Sequence, residues 1–217
     1  MSSIINSFVS DVKLLANDWD KYVDLSDPAI KYAIYTIAFN PIFWNITARL
    51  EYNTHFLTKI CGGARNGCYL LALTIFSLGI YRDHIYFDAL QGQPTFTPFL
   101  ENPIFKLIAI LSFGFGNVLV LSSMWALGVT GTYLGDYFGI LMDSRVTGFP
   151  FNVNDNPMYN GSALCFLGTA LWYGKPTGLL VTIFVFGMYK IALFFEEPFT
   201  AKIYAKRAAA ASAKKSL

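Results

Sequence analysis

Five stretches dominate the chain: Tyr32–Ala48, Asn66–Tyr81, Leu107–Leu127, Pro157–Tyr173 and Thr177–Phe195. Together they contain a single charged residue, Lys190. A water-facing surface needs charge, and a soluble domain carries about 25% charged residues. This chain carries 14%, against 54% hydrophobic and 17% aromatic residues. A lipid-facing surface must avoid charge and satisfy its backbone internally. The pattern therefore predicts an all-α fold: a polytopic membrane helical bundle with four to five membrane-embedded helices, the last two forming a C-terminal hairpin.

A full span takes about 20 residues. Leu107–Leu127 meets that length. Tyr32–Ala48 is short and holds Asn40-Pro41 at its centre, so a kink or break is expected there, with a re-entrant helix pair as the alternative. Asn66–Tyr81 is also short, and its flanking Arg65 and Arg82 are expected to snorkel to the interfaces. Lys190 reads the same way. Lys175-Pro176 leaves only a tight turn between the fourth and fifth stretches, which makes them antiparallel neighbours.

Three regions follow. Residues 1–28 place Ile4, Phe8, Val12, Leu15 and Trp19 at helical spacing, as in an amphipathic helix that lies in the membrane interface or packs on the protein; Asp27-Pro28 is expected to end it. This region has aspartates and no basic start before an apolar run, so it does not read as a cleavable signal. Residues 29–204 are the membrane-embedded domain, and 205–217 a basic tail. Lys202, Lys206, Arg207, Lys214 and Lys215 place that tail in the cytosol. Arg49, Lys59 and Arg65 place the loop after the first stretch there too, while 82–103 reads as lumenal. With the last two stretches as a hairpin, 129–156 is cytosolic; a three-span alternative would put it in the lumen. Lys214-Lys215-Ser216-Leu217 looks like a dilysine retrieval signal, so the endoplasmic reticulum membrane is the expected location, with a mitochondrial membrane as a second candidate.

Several chemistries are poorly supported. A net charge of +2 without an aromatic-interleaved basic run does not suggest nucleic-acid binding. Cys61, Cys68 and Cys165 are odd in number and widely placed, and His55 and His84 stand apart, so neither a disulfide framework nor a metal site is expected.

Two polar stretches are out of place in so apolar a chain. Asp155-Asn156-Pro157-Met158-Tyr159-Asn160-Gly161 opens the fourth stretch, and Glu196-Glu197-Pro198-Phe199-Thr200 closes the fifth. The hairpin brings Asn156 and Tyr159 level with the two glutamates. Paired carboxylates at a membrane boundary are costly unless hydrated or matched by a cation, and glutamate at a helix C-terminus opposes the helix dipole. Glycines form a third feature: Gly114 and Gly116 flank Phe115, and Gly128, Gly131, Gly135 and Gly139 recur about once per turn. They suit helix packing or the close approach of a ligand.

At these residues the chain resembles the phosphatidylethanolamine N-methyltransferases. The matching stretches are Phe39–Asn45, Gly114–Ser123, Leu127–Leu141, Arg145–Tyr159 and Glu196–Tyr204. The Asn156-Pro157-x-Tyr159 and Glu-Glu combination is also similar to a motif of the membrane isoprenylcysteine methyltransferases, where Arg-His stands in place of Asp155-Asn156. The resemblance implies a methyl donor, S-adenosylmethionine, held by Gly114 to Gly116 and by Glu196 and Glu197, with Asn156 and Gly131 alongside. It implies a phospholipid acceptor drawn from the bilayer. A carboxylate pair suits the donor's sulfonium and ammonium. Glu197, Asp155 and Asp136 are candidate bases for the amine, and Tyr159 joins the candidate catalytic set. Arg145 is a candidate for lipid phosphate or the donor carboxylate, and Tyr137, Phe138, Tyr159 and Trp172 for an aromatic box around the methylated ammonium. The expected product is phosphatidylcholine. An isoprenylcysteine-type methyltransferase is the nearest rival, and a transporter subunit or scaffold the non-enzymatic one.

Overall fold

In a computed structural model the structure describes residues 2–215, with side chains from 3 to 210. The Lys214-Lys215-Ser216-Leu217 signal falls outside the described side chains.

The N-terminal helix α1 (Ser2–Asn17) turns through a short 3-10 segment, Trp19–Lys21. Phe8, Leu15 and Trp19 pack against a cluster that includes Phe96, Phe99 and Phe105, while Ile4 and Val12 remain exposed. Three of the five residues of the sequence-defined stripe thus pack on the protein and two do not. Asp27 does not end this helix. Its carboxylate accepts from Ala29 N–H and caps the next one, with Pro28 in the first turn where a missing N–H costs nothing.

That helix, α2 (Pro28–Thr54), runs unbroken through Pro41. The expected break at Asn40-Pro41 is absent. Asn40 is buried and donates its amide to Leu78 O on a neighbouring helix, so tertiary contacts hold the proline-containing turn in place. A one-turn α3 (Phe56–Ile60) is capped by the fully buried Glu51, which accepts from Leu57 N–H and from the Thr58 hydroxyl.

Helix α4 (Ala64–Gln91) extends well past the apolar stretch that predicted it. Arg82 does not snorkel outward; it is 8% exposed and points into the protein. A short α5 (Thr97–Glu101) leads to α6 (Pro103–Thr132), started by Asn102, whose side chain accepts from Ile104 N–H. Gly128 breaks the helical backbone of α6 with φ 63°, and the chain then forms a 3-10 turn at Gly135–Phe138. The glycines after 128 therefore shape a bend rather than a stripe on one straight helix.

Helices α7 (Pro157–Trp172) and α8 (Thr177–Lys215) form the expected hairpin. Its turn is fixed by Lys175, whose ammonium donates to Gln93 O at 2.8 Å and Thr95 Oγ1 at 3.0 Å. Helix α8 does not stop at the glutamates but continues through Pro198, so Glu196 and Glu197 lie mid-helix and the dipole argument against a structural role falls away.

Helices α6 and α7 cross in near backbone contact. A Cβ on Gly116 would lie 2.5 Å from Gly161 O, and one on Gly168 would lie 2.7 Å from Phe113 N. The outer faces are apolar: Leu73, Leu121, Trp125, Ile183 and Phe194 are all exposed. Pro103–Phe138 and Thr177–Ala210 are long and apolar enough to cross a bilayer. Lys190 lies on the outer face of α8, its ammonium 5.2 Å from the Phe186 ring.

Candidate active site

The antiparallel pairing of α7 and α8 delivers the two polar stretches to the same place. Tyr159 Oη donates to Glu196 Oε2 at 2.9 Å, and Asn156 Nδ2 donates to Glu197 Oε1 at 3.2 Å. Glu196 is half-buried and Glu197 exposed. The Trp44 indole of α2 also lies against the Glu196 carboxylate. Among the described residues neither glutamate forms an ion pair with a protein cation. Arg49 of α2 donates to Phe195 O at 2.6 Å and lies 4.8 Å from the Phe199 ring. It braces the helix at the glutamates without neutralising them.

These carboxylates form one end of a cavity of about 1120 Å³. Helices α2, α4, α6, α7 and α8 all contribute to its lining. Asp155, Asn156, Thr200 and Tyr133 share the acidic mouth, while Phe87, Trp172 and Tyr173 line the far end. Between them the lining is mostly apolar. Partway along, Arg82 donates through Nε and Nη2 to Asp83 Oδ1, and through Nη1 to Tyr189 Oη at 2.7 Å. Among the described residues no group of three or more His, Cys, Asp or Glu side chains is placed to hold a metal ion.

The structure unites part of the sequence-predicted set. Asp155, Asn156, Tyr159, Glu196, Glu197, Gly114 and Gly131 all line the cavity. A Cβ on Gly114 would meet nothing within 4 Å, so this position is open space rather than a packing contact. The remaining candidates lie elsewhere. Gly116 is buried at the α6–α7 crossing, and Phe115 is 53% exposed on the outer surface. Tyr137 stacks on Phe199 with centroids 5.0 Å apart, and it and Phe138 are buried off the cavity wall. Arg145 is exposed on the 139–156 loop. Trp172 is at the far end, where the Lys106 ammonium sits 4.3 Å from its ring. Asp136 accepts from Thr200 Oγ1 at 2.9 Å but is not part of the cavity lining.

Sequence reasoning missed Trp44, Tyr189 and Arg82. Trp44 sits inside the Phe39–Asn45 stretch, and that was its one signal. Tyr189 lies in an apolar run where aromatics are ordinary, and Arg82 looked like a snorkelling flank.

Fold and site together define a protein that is helical throughout its described residues, with two helices long and apolar enough to cross a bilayer and an apolar cavity that opens at an acidic mouth. The phospholipid methyltransferase family model matches residues 104–207, which hold α6, α7 and the glutamate pair. The chain is 63% identical over 185 residues to the phosphatidyl-N-methylethanolamine N-methyltransferase of Saccharomyces cerevisiae, covering 85% of this chain and 89% of that one. It is 64% identical over 173 residues to the enzyme of the same name from Schizosaccharomyces pombe, covering 79% and 88%. It is 48% identical over 187 residues to the human phosphatidylethanolamine N-methyltransferase, covering 86% and 94%. The chain belongs to the phospholipid methyltransferase family. No solved structure matches it.

Proposed function

We propose that the protein transfers methyl groups from S-adenosylmethionine to the amine of mono- and dimethylated phosphatidylethanolamine, giving phosphatidylcholine. One observation carries this reading: two adjacent carboxylates without a cationic partner among the described residues, at the mouth of a large apolar cavity. Carboxylates so placed are matched by a ligand that brings its own positive charge. The names of the relatives point to the same reaction.

The residues present fit the donor. Glu196 and Glu197 complement its sulfonium and ammonium, and the open wall at Gly114 leaves room beside them. When bound, S-adenosylmethionine supplies an electrophilic methyl group for an in-line displacement by the lipid amine. Tyr159 fixes the rotamer of Glu196 and Asn156 that of Glu197, so both charges are set before the ligand arrives. The acceptor amine must first lose a proton. Asp155 and Glu197 are exposed at the mouth, which suits that role; Asp136 is tied to Thr200 and off the cavity wall. Arg145 is the loop cation available to a lipid phosphate.

The reading includes topology. Helices α2, α4, α6, α7 and α8 are embedded in the endoplasmic reticulum membrane, with the acidic mouth and the basic C-terminal region in the cytosol. Methyl transfer by purified protein, measured with labelled donor and each of the three amine acceptors, tests the activity. Labelling of an isoprenylcysteine acceptor and none of the lipids would overturn it.

A further inference from the structure

Just inside the glutamate mouth, three rings from three helices meet. Trp44 of α2 lies 6.3 Å from Tyr159 of α7 and 6.5 Å from Tyr189 of α8, and the two tyrosines are 5.0 Å apart, all between centroids. All three line the cavity. Trp44 and Tyr189 are only 9% and 6% exposed, so they are not part of a bilayer-facing aromatic belt.

The triangle is rigid. Tyr159 is pinned through its hydroxyl to Glu196, and Tyr189 is held by Arg82 Nη1 at 2.7 Å and by the Ser162 hydroxyl at 3.1 Å. The guanidinium behind Tyr189 does not make the region cationic, because Asp83 Oδ1 accepts two bonds from it. A carboxylate and three aromatic faces, sheltered from bulk water, make a surface that favours a soft, poorly hydrated cation. Cation–π attraction is strongest where the cation has been desolvated, and each N-methyl group added to an amine weakens its hydration. A primary ammonium keeps three N–H donors and is better served by water.

We propose that Trp44, Tyr159 and Tyr189 form the docking face for the N-methyl groups of the acceptor, and that this face sets a preference for acceptors that are already methylated. The inference rests on the reading that methyl transfer occurs at the glutamate mouth. It names the residues that choose among successive acceptors there.

Tetramethylammonium and ammonium, at equal ionic strength, are tested as inhibitors of the wild-type protein with the dimethylated lipid as acceptor. Tetramethylammonium should compete with the lipid, and ammonium should not. Trp44→Leu and Tyr189→Leu should lower kcat/KM for the dimethylated lipid about tenfold more than for the unmethylated one, whereas Trp44→Phe and Tyr189→Phe, which keep a ring, should hold the ratio within about threefold. Equal losses across all three acceptors, or no advantage of tetramethylammonium over ammonium on the wild type, overturn the proposal. The underlying reading is checked separately by equilibrium donor binding: a Glu196→Gln variant that binds donor as the wild type does removes the site itself, whatever the acceptor ratios.

Discussion

Tyr159 and Glu196 are 37 residues apart in sequence and joined at 2.9 Å in the structure, the hydroxyl donating to the carboxylate. This bond fixes one charge of the donor site. Hydrogen bonds to charged groups contribute about 1.5–3 kcal/mol, so Tyr159→Phe should weaken donor binding about tenfold or more. Glu196→Gln, which removes the charge itself, should weaken it further. Equilibrium binding of S-adenosylmethionine to purified protein in detergent measures both. Equal affinities in Tyr159→Phe and wild type would show that the bond does no orienting.

Glu197 separates function from folding. It is exposed, its one side-chain bond is to Asn156 at 3.2 Å, and it sits mid-helix. Replacing an exposed side chain of this kind changes stability by about 0.5 kcal/mol or less. Glu197→Ala should therefore insert and melt like the wild type yet lose methyl transfer, and Asn156→Ala should lose only a few-fold. Turnover and a thermal midpoint on the same preparation decide; wild-type turnover in Glu197→Ala removes it from the site.

Gly114 and Gly116 are two residues apart, about 200° around the helix, and so face opposite ways. A methyl group at Gly114 meets open space, while one at Gly116 would sit 2.5 Å from Gly161 O and 2.9 Å from Cys165 Sγ. Forcing atoms into a packed crossing costs about 1–3 kcal/mol. Gly116→Ala should lower the thermal midpoint, with activity falling in step. Gly114→Ala should fold normally, and any loss should appear as a raised KM for donor. The reverse pattern would mean that Gly116, not Gly114, faces the ligand.

That pair also marks what sequence could and could not reveal. The hairpin was legible because Lys175-Pro176 separates two apolar runs of similar length that hold one charge between them, Lys190, and the meeting of Asn156 and Tyr159 with the glutamates follows from that geometry alone. Helix ends were less legible. Polar residues continue a helix whenever another element supports them, as Glu196 to Thr200 do in α8 and Asp83 to Gln91 do in α4. The division of Gly114 from Gly116 depends on which face of α6 meets α7, and a pattern of glycines carries no such direction. The ring triangle was invisible for a related reason: it assembles residues from α2, α7 and α8 that no spacing connects.

Lys175 should matter for stability and not for ligand binding. The residue is 7% exposed and its ammonium is bonded to Gln91 O, Gln93 O and Thr95 Oγ1, while Gln93 accepts from Thr177 Oγ1 at 2.6 Å and donates to Asp27 Oδ2 at 3.0 Å. Lys175→Met would strand these acceptors, at about 1–3 kcal/mol. The thermal midpoint should fall while donor affinity stays unchanged, because this knot is at the opposite end of the α7–α8 hairpin from the glutamates. A matching loss of donor affinity would show that the two ends are coupled.

The two ends of the bundle should also face different compartments. Phe96 N–H donates to Gly174 O at 2.9 Å, which ties the segment after α4 to the hairpin turn, and Asn156 meets Glu197 at the other end. If α4, α7 and α8 each cross once, Asp88 and Asp155 lie on opposite sides. In a protein whose three cysteines are replaced, Asp155→Cys should react with an impermeant maleimide from the cytosolic side of sealed vesicles, and Asp88→Cys only after the membrane is opened. Both side chains are exposed enough to label. Reaction of both from one side would mean that the hairpin does not cross. The cavity would then lie along the membrane surface, and a lipid would have to leave the bilayer to reach the carboxylates, at a cost of about 0.8 kcal/mol for every CH₂ exposed. A bilayer-crossing hairpin avoids that cost, since the acyl chains stay in hydrocarbon while only the headgroup enters the mouth.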